Sequence, residues 1–156
     1  MYGLHWIARE YPDDWEAIRY LNQESARFAG EAGNQGGMPK IPWAIVEADG
    51  ESYTDYGRIS AFTGLPSVIG WPVHEWLWRG TYDLVAPRRE DVRRIYESDD
   101  AGETARILNT YSVRYVIVGK LERDTYKNMQ EWKFPELGRE AYRSGATIVY
   151  AVGAGY

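Results

Sequence analysis

Cysteine is absent from this chain of 156 residues, and histidine occurs only at His5 and His74. The first absence excludes disulfides, thiolate metal sites and cysteine nucleophiles, while it leaves the compartment open. A zinc-binding His-Glu-x-x-His helix starting at His74 would need histidine at position 78, where the chain has Trp78. We therefore expect no structural metal and no cofactor. Any cation bound by acidic side chains should be weakly held through oxygen ligands.

Several other patterns are missing. No apolar run approaches the roughly 18 residues of a membrane span, and no signal peptide precedes the fold, so the chain alone is expected to be soluble. There is no Gly-x-Ser-x-Gly nucleophile elbow and no phosphate-binding glycine loop. The net charge of −5 argues against a nucleic-acid partner, because phosphate neutralisation needs a basic face.

Aromatic residues are abundant, with seven Trp and thirteen Tyr. Three of the Trp fall in the stretch 64–80, which begins with a turn and a short apolar run and then breaks at Gly70 and Pro72. A buried strand that ends in such a turn commonly presents a binding site in α/β proteins. The candidate substrate-binding residues of this stretch are Trp71, His74, Glu75, Trp78 and Arg79. The same residues could instead tie the loop to its surroundings.

Hydrophobic periodicity predicts a single α/β domain over residues 1–156. Helices are predicted over 13–30, 87–96, 102–111, 121–132 and 135–144, the first with Asp13 as its N-cap and Glu16 completing a capping box. Strands are predicted over 43–48, 113–119 and 146–152. Glycines and prolines mark 30–42 as a mobile loop. Together these elements indicate a mostly parallel central sheet flanked by helices, a Rossmann-like three-layer sandwich.

Acidic residues cluster after the first predicted strand: Glu47, Asp49, Glu51 and Asp55. Such a cluster could bind a cation or serve acid–base chemistry, but a solvated acidic turn is the favoured interpretation. Tyr56 and Arg58 follow in a short helix or irregular segment and are secondary site candidates. The arginines between 88 and 94 stand at helical spacing from acidic residues, which is typical of an ion-paired outer face.

Two blocks of the sequence carry a family resemblance. The first runs from Arg58 through Gly64-Leu65-Pro66 and His74-Glu75 to Gly80, and the second covers 113–119, 121–126 and 133–134, followed by the terminal strand at 147–150. These blocks resemble the C-terminal region of the YYY family of large polytopic membrane proteins. That family looks like lipid-linked-sugar glycosyltransferases of the GT-C class, whose membrane helices precede a globular domain outside the cytoplasm. Asp55-Tyr56-Gly57 is also faintly similar to the end of the Trp-Trp-Asp-Tyr-Gly motif of oligosaccharyltransferase catalytic subunits.

The resemblance implies a non-catalytic extracytoplasmic domain, excised from a larger membrane protein, that contributes a substrate- or acceptor-facing loop. Its expected partners are the transmembrane part of its own parent chain and a glycan or lipid-linked sugar. Two alternatives stay open on the residues themselves. One is a self-contained hydrolase that uses Glu47, Asp55, His74 or Glu75 for acid–base chemistry. The other is an interaction or scaffolding module.

Overall fold

A computed structural model describes residues 2–31, 42–50, 55–69 and 85–153. The predicted mobile loop at 30–42 falls largely outside these ranges. So does the aromatic stretch from Gly70 onward, including Trp71, His74, Glu75, Trp78 and Arg79. Among the described helices, none combines the length and the apolar character that crossing a bilayer requires.

The described part contains seven helices and four strands. The helices are α1 (Tyr2–Glu10), α2 (Pro12–Glu31), α3 (Arg58–Thr63), α4 (Val85–Glu97), α5 (Ala101–Thr110), α6 (Lys120–Thr125) and α7 (Phe134–Leu137). The strands are β1 (Ala44–Val46), β2 (Val113–Val118), β3 (Gly138–Ser144) and β4 (Thr147–Val152). A 3₁₀ turn at Glu131–Lys133 leads into α7.

The four strands form one mixed sheet in the order β1-β2-β4-β3. Only β1 and β2 are parallel, whereas β4 runs antiparallel to both of its neighbours. The sheet is therefore α/β but not mostly parallel, and that part of the sequence prediction is wrong. The reason lies in the two-residue hairpin at Gly145-Ala146, which returns β4 beside β3 without a crossover helix.

The segment 138–144 is the clearest error of the sequence prediction, which placed it in a helix. The helix α7 already ends at Leu137, and the chain then continues as the edge strand β3. Charged residues such as Arg139, Glu140 and Arg143 are exposed there, because an edge strand needs no apolar alternation on its outer side. The predicted helix over 121–132 is likewise shorter, since α6 ends at Thr125.

Helices cover both faces of the sheet, so the three-layer expectation is confirmed. One face of the sheet packs against α4, α5, α6 and α7; its residues are Val46, Val116, Val118 and Tyr150, and those of α4 are Val92, Ile95 and Tyr96. The opposite face packs against α1, α2 and α3; its residues are Ile45, Tyr115, Ile117 and Val149, and those of the helices are Ile7, Ile18, Leu21 and Ile59. The strand β2, predicted over 113–119, lies centrally in the sheet, and its continuous apolar run is buried on both sides.

The segment 65–69 extends the sheet beyond β1. Ser67 bridges to Ile45 in the parallel sense, with Ile45 N–H donating to Pro66 O at 2.8 Å and Val68 N–H donating to Ile45 O at 3.0 Å. The chain therefore leaves Ile69 at the same edge of the sheet as the carboxyl ends of β1 and β2. We call this edge, where β4 also begins, the carboxyl edge.

Replacing Val116 by Asp should unfold the domain. Val116 is completely buried at the centre of β2, and an unpaired buried charge costs several kcal/mol against a total stability of about 5–15 kcal/mol. Arg139→Asp, on the exposed edge strand, is the matched control and should cost at most about 1 kcal/mol. Thermal melting followed by circular dichroism distinguishes them. An unaltered cooperative melt of Val116→Asp would show that β2 is not in the core.

Candidate functional site at the carboxyl edge

A buried arginine lies directly beneath the carboxyl edge. Arg58 is the first residue of α3, and its side chain is 1% exposed. It follows Gly57, whose φ of 74° is in the left-handed region that glycine adopts without strain. This turn directs the Arg58 side chain into the interior, where three carboxylates surround it: Asp14, Glu47 and Glu122.

Each carboxylate contacts the guanidinium from a different element. Asp14 of α2 accepts a hydrogen bond from Nε at 2.6 Å. Glu122 of α6 accepts two bonds, from Nη1 at 3.2 Å and from Nη2 at 3.1 Å. Glu47, just after β1, lies 3.6 Å from Nη1. All donor nitrogens of Arg58 therefore face a carboxylate, and the bidentate pair with Glu122 gives the contact directional specificity.

The carboxylates are also saturated by other donors. Glu47 accepts backbone N–H bonds from Ile59 and Ser60, both at 2.9 Å. Glu122 accepts from Ala48 N and Gly119 N, again both at 2.9 Å. The remaining carboxylate, Asp14, accepts a hydrogen bond from the hydroxyl of Thr147 at 2.6 Å. This saturation matters because a buried charge is tolerated only where its hydrogen-bonding capacity is met.

The pKa shifts follow from this geometry. Burial alone would lower the pKa of Arg58, but Glu122, Asp14 and Glu47 raise it above its ordinary value. Burial tends to raise the pKa of Glu122, yet Arg58 and the backbone donors bring it below the usual range. Burial raises the pKa of Glu47, only partly offset by Arg58 and the two backbone donors. Glu47 thus takes up a proton more readily than Glu122.

Glu47 and Arg58 are brought together as members of one interior ion cluster, not as surface groups. Glu47 is 1% exposed, so its predicted place in a solvated acidic turn is wrong. The local reason is that β1 ends inside the domain, where the N-terminus of α3 supplies the donors. Among the described residues no grouping of histidine and acidic side chains has the arrangement of a metal site.

Asp55 and Tyr56 lie nearer the surface, on the turn before α3. The Tyr11 hydroxyl donates to Asp55 Oδ2 at 2.6 Å, and the Tyr56 hydroxyl lies 3.2 Å from Thr125 Oγ1. The Tyr56 ring packs directly against Gly50, where a Cβ atom would collide with it. Both residues are partly exposed. Asp55-Tyr56-Gly57 is therefore a well-anchored turn at the carboxyl edge.

Asp49 lies on the same edge and joins β1 to α4. Its backbone N–H donates to the Tyr126 hydroxyl at 3.3 Å, and its Oδ2 accepts from Arg89 Nε at 2.6 Å. The exposed face of α4 beyond Arg89 carries the predicted ion pairs, including Arg94–Glu90 at 3.2 Å and Arg93–Glu97 at 3.2 Å. The ion-paired interpretation of this helix is confirmed.

Sequence reasoning missed Asp14, Glu122 and Thr147 as cluster members. Asp14 and Thr147 are 133 positions apart, so no local spacing could connect them. The predicted N-cap Asp13 is also wrong, because α2 begins at Pro12 and the Asp13 carboxylate accepts from Ala146 N at 3.0 Å. The one local signal was Gly119-x-x-Glu122, where the Glu122 carboxylate accepts from the N-cap Gly119 N–H, which is one of the two bonds of a capping box.

The comparisons with known proteins support the fold and little beyond it. No family model and no curated protein matches the sequence, so the YYY resemblance is not established by them. The structure is similar to the crystal structure of the C-terminal globular domain of an oligosaccharyltransferase from Archaeoglobus fulgidus, with a TM-score of 0.52 and 14% sequence identity. The match covers 90% of this chain and 97% of that domain. The two share an α/β fold along almost their whole lengths.

Replacing Arg58 by Met should destabilise the domain by about 3–5 kcal/mol at neutral pH, because three buried carboxylates lose their counter-charge. The pKa values of Glu47 and Glu122 in the folded variant then exceed those in the unfolded chain, because burial raises them and Arg58 no longer opposes it. The folded variant binds more protons than the unfolded variant. The difference in the free energy of unfolding between wild type and variant should therefore shrink as pH falls from about 7 to about 5.

Urea unfolding at several pH values measures this deficit. Arg19→Met is the matched control, since Arg19 pairs with Glu16 on the exposed surface of α2, and it should cost less than about 1 kcal/mol. A deficit for Arg58→Met that does not change with pH would mean that the three carboxylates do not depend on Arg58.

Proposed function

We propose that this chain is a non-catalytic extracytoplasmic domain of a multi-spanning, glycosyltransferase-like membrane protein, and that its carboxyl edge faces the substrate or acceptor. The observation that carries the proposal is the shared fold with a globular domain of an oligosaccharyltransferase, over 90% of this chain. Its partners would be the transmembrane part of its own parent chain and a glycan or lipid-linked sugar. The YYY family resemblance of the two sequence blocks adds support.

The chemistry of the buried cluster favours a non-catalytic role for this domain. A general acid or base must reach the proton that it transfers. Glu47 is 1% exposed, and both of its oxygens accept backbone hydrogen bonds. Asp55 is more accessible, although its Oδ2 is bonded to Tyr11. The hydrolase alternative therefore loses Glu47 as a catalytic group.

The positions of the Asp55-Tyr56-Gly57 turn and of Ile69 support the choice of surface. Asp55-Tyr56-Gly57 lies at the carboxyl edge, and the segment that pairs with β1 delivers the chain to the same edge at Ile69. Ligands of α/β sheets commonly bind outside the carboxyl ends of parallel strands. The stretch with Trp71, His74 and Arg79 follows immediately in sequence. In this proposal it supplies the substrate-facing side chains, with Glu75 and Trp78.

Two of these residues have distinct chemical roles in the proposal. The Arg79 guanidinium offers a fork of donors that suits a phosphate or carboxylate, as in a lipid-linked sugar phosphate. Glu75 can orient a sugar hydroxyl or pair with Arg79. The Trp rings supply apolar faces for a pyranose.

Substituting Glu75 or Arg79 by Ala should separate binding from folding. In the protein as its genome encodes it, each change should lower transfer of a labelled sugar from a lipid-linked donor by about tenfold or more, or about 1.4 kcal/mol. The melting temperature of the isolated 156-residue chain should stay nearly unchanged.

Glu90→Ala and Arg93→Ala, which break an exposed pair on α4, are the matched controls and should leave transfer intact. The isolated wild-type chain should show no turnover on glycosides or phosphoesters. A large drop in the melting temperature of the Glu75 or Arg79 variants, with full transfer by the surviving intact protein, would contradict the proposal. Those residues would then stabilise the fold and not bind the substrate.

A further inference from the structure

A cavity opens at the carboxyl edge, on the side of α2 and α6. Its volume is about 330 Å³, at the lower end of the roughly 300–1,000 Å³ typical of small-ligand pockets. The lining comes from the α1–α2 junction, from the first turns of α6 and from the start of β4. Its buried side includes Asp14 and Thr147, which belong to the Arg58 cluster, so the base of the cavity consists of hydrogen-bonded side chains.

The charged residues of this cavity are already paired. Lys120 lies 3.6 Å from Asp124, and the Asp13 carboxylate accepts from Ala146 N at 3.0 Å. The other members have partners as well: Arg123 with Glu131, Glu10 with Arg9, and Asp14 with Arg58. A charged ligand would have to compete with these pairs. A neutral ligand can use the remaining lone pairs of the carboxylates and the N–H groups of Lys120 without separating them.

The lining also includes an aromatic ring whose position is fixed by its contacts. Tyr11 donates its hydroxyl to Asp55 at 2.6 Å, and its ring meets Trp6 edge-on at 5.9 Å between centroids. Pro12 follows it and adds a second apolar ring to the lining. A side chain fixed in this way presents its surface without further loss of conformational entropy. Acceptors, donors and one flat apolar surface thus face the same space.

We propose that this cavity is a binding site for a neutral pyranose. The hydroxyl groups of a sugar both donate and accept hydrogen bonds. They can donate to the carboxylates of Asp13 and Asp124 and accept from the ammonium of Lys120. The C–H face of the sugar ring would lie against Tyr11. The proposal rests on the geometry of the described lining alone, so it does not require the function proposed above.

Titration of the ¹⁵N-labelled 156-residue chain by NMR tests the proposal. The probes are methyl α-D-mannopyranoside and methyl β-D-glucopyranoside, with tetramethylammonium chloride and inorganic phosphate as charged comparisons. We expect at least one of the pyranosides to bind with a Kd of the order of millimolar. The shifted amides should be those of residues 11–14, 120–124 and 146–147, and both ions should bind more weakly.

Two kinds of variant locate the binding. Ala146→Phe should fill the cavity and abolish the shifts, and the double change Lys120→Ala with Asp124→Asn should weaken binding about tenfold. The side chains of Lys120 and Asp124 are 71% and 55% exposed, so the double variant should fold normally. Lys127→Ala, an exposed lysine outside the lining, is the matched control and should bind as wild type does.

The proposal is overturned if neither pyranoside shifts these amides at tens of millimolar, or if the double variant binds as tightly as wild type. Tighter binding of tetramethylammonium or of phosphate than of either sugar would overturn it too, since the cavity would then select an ion. None of these outcomes bears on transfer by Glu75 and Arg79 variants of the intact protein, so the two proposals fail separately.

Discussion

The guanidinium of Arg58, buried among Asp14, Glu47 and Glu122, is the interaction on which the carboxyl edge depends. Its partners come from α2, from the end of β1 and from α6, and Thr147 adds the start of β4. Hydrophobic packing covers both faces of the sheet but is not directional. The ion cluster adds direction, because each of its contacts requires one geometry. It thereby sets how the elements of the two layers meet at this edge.

This arrangement has a functional consequence. Glu47, one of the predicted acid–base candidates, is used to hold the fold, whereas Asp55 and Tyr56 stay partly exposed. Asp55 and Tyr56 are anchored by Tyr11 and Thr125, so the turn that carries them is positioned in advance. A rigid edge with partly exposed aromatic and polar side chains suits recognition better than proton transfer. That is the character we propose for an acceptor-facing domain.

The sequence predicted the α/β class, the strand β2 and the helices α2 and α4, because each of these follows from the local hydrophobic pattern. It failed at β3, where an edge strand rich in arginine and glutamate lacks the alternation of a buried strand. It also failed at Glu47, whose burial depends on Arg58 and on the N-terminus of α3. Arg58 and Asp14 are 44 positions apart and Asp14 and Thr147 are 133 apart, so the cluster has few local signs in the sequence. Residue spacing therefore does not predict charge pairs between positions far apart in the sequence.

Amide hydrogen exchange tests the central role of the cluster most directly. The N–H groups of Ala48, Ile59, Ser60 and Gly119 donate to Glu47 or Glu122 and not to a strand or helix carbonyl. If the cluster holds the carboxyl edge together, these four amides should exchange as slowly as those of β2, at rates set by global unfolding. Exchange of the four at the rate of fraying helix ends, while β2 stays protected, would contradict the account.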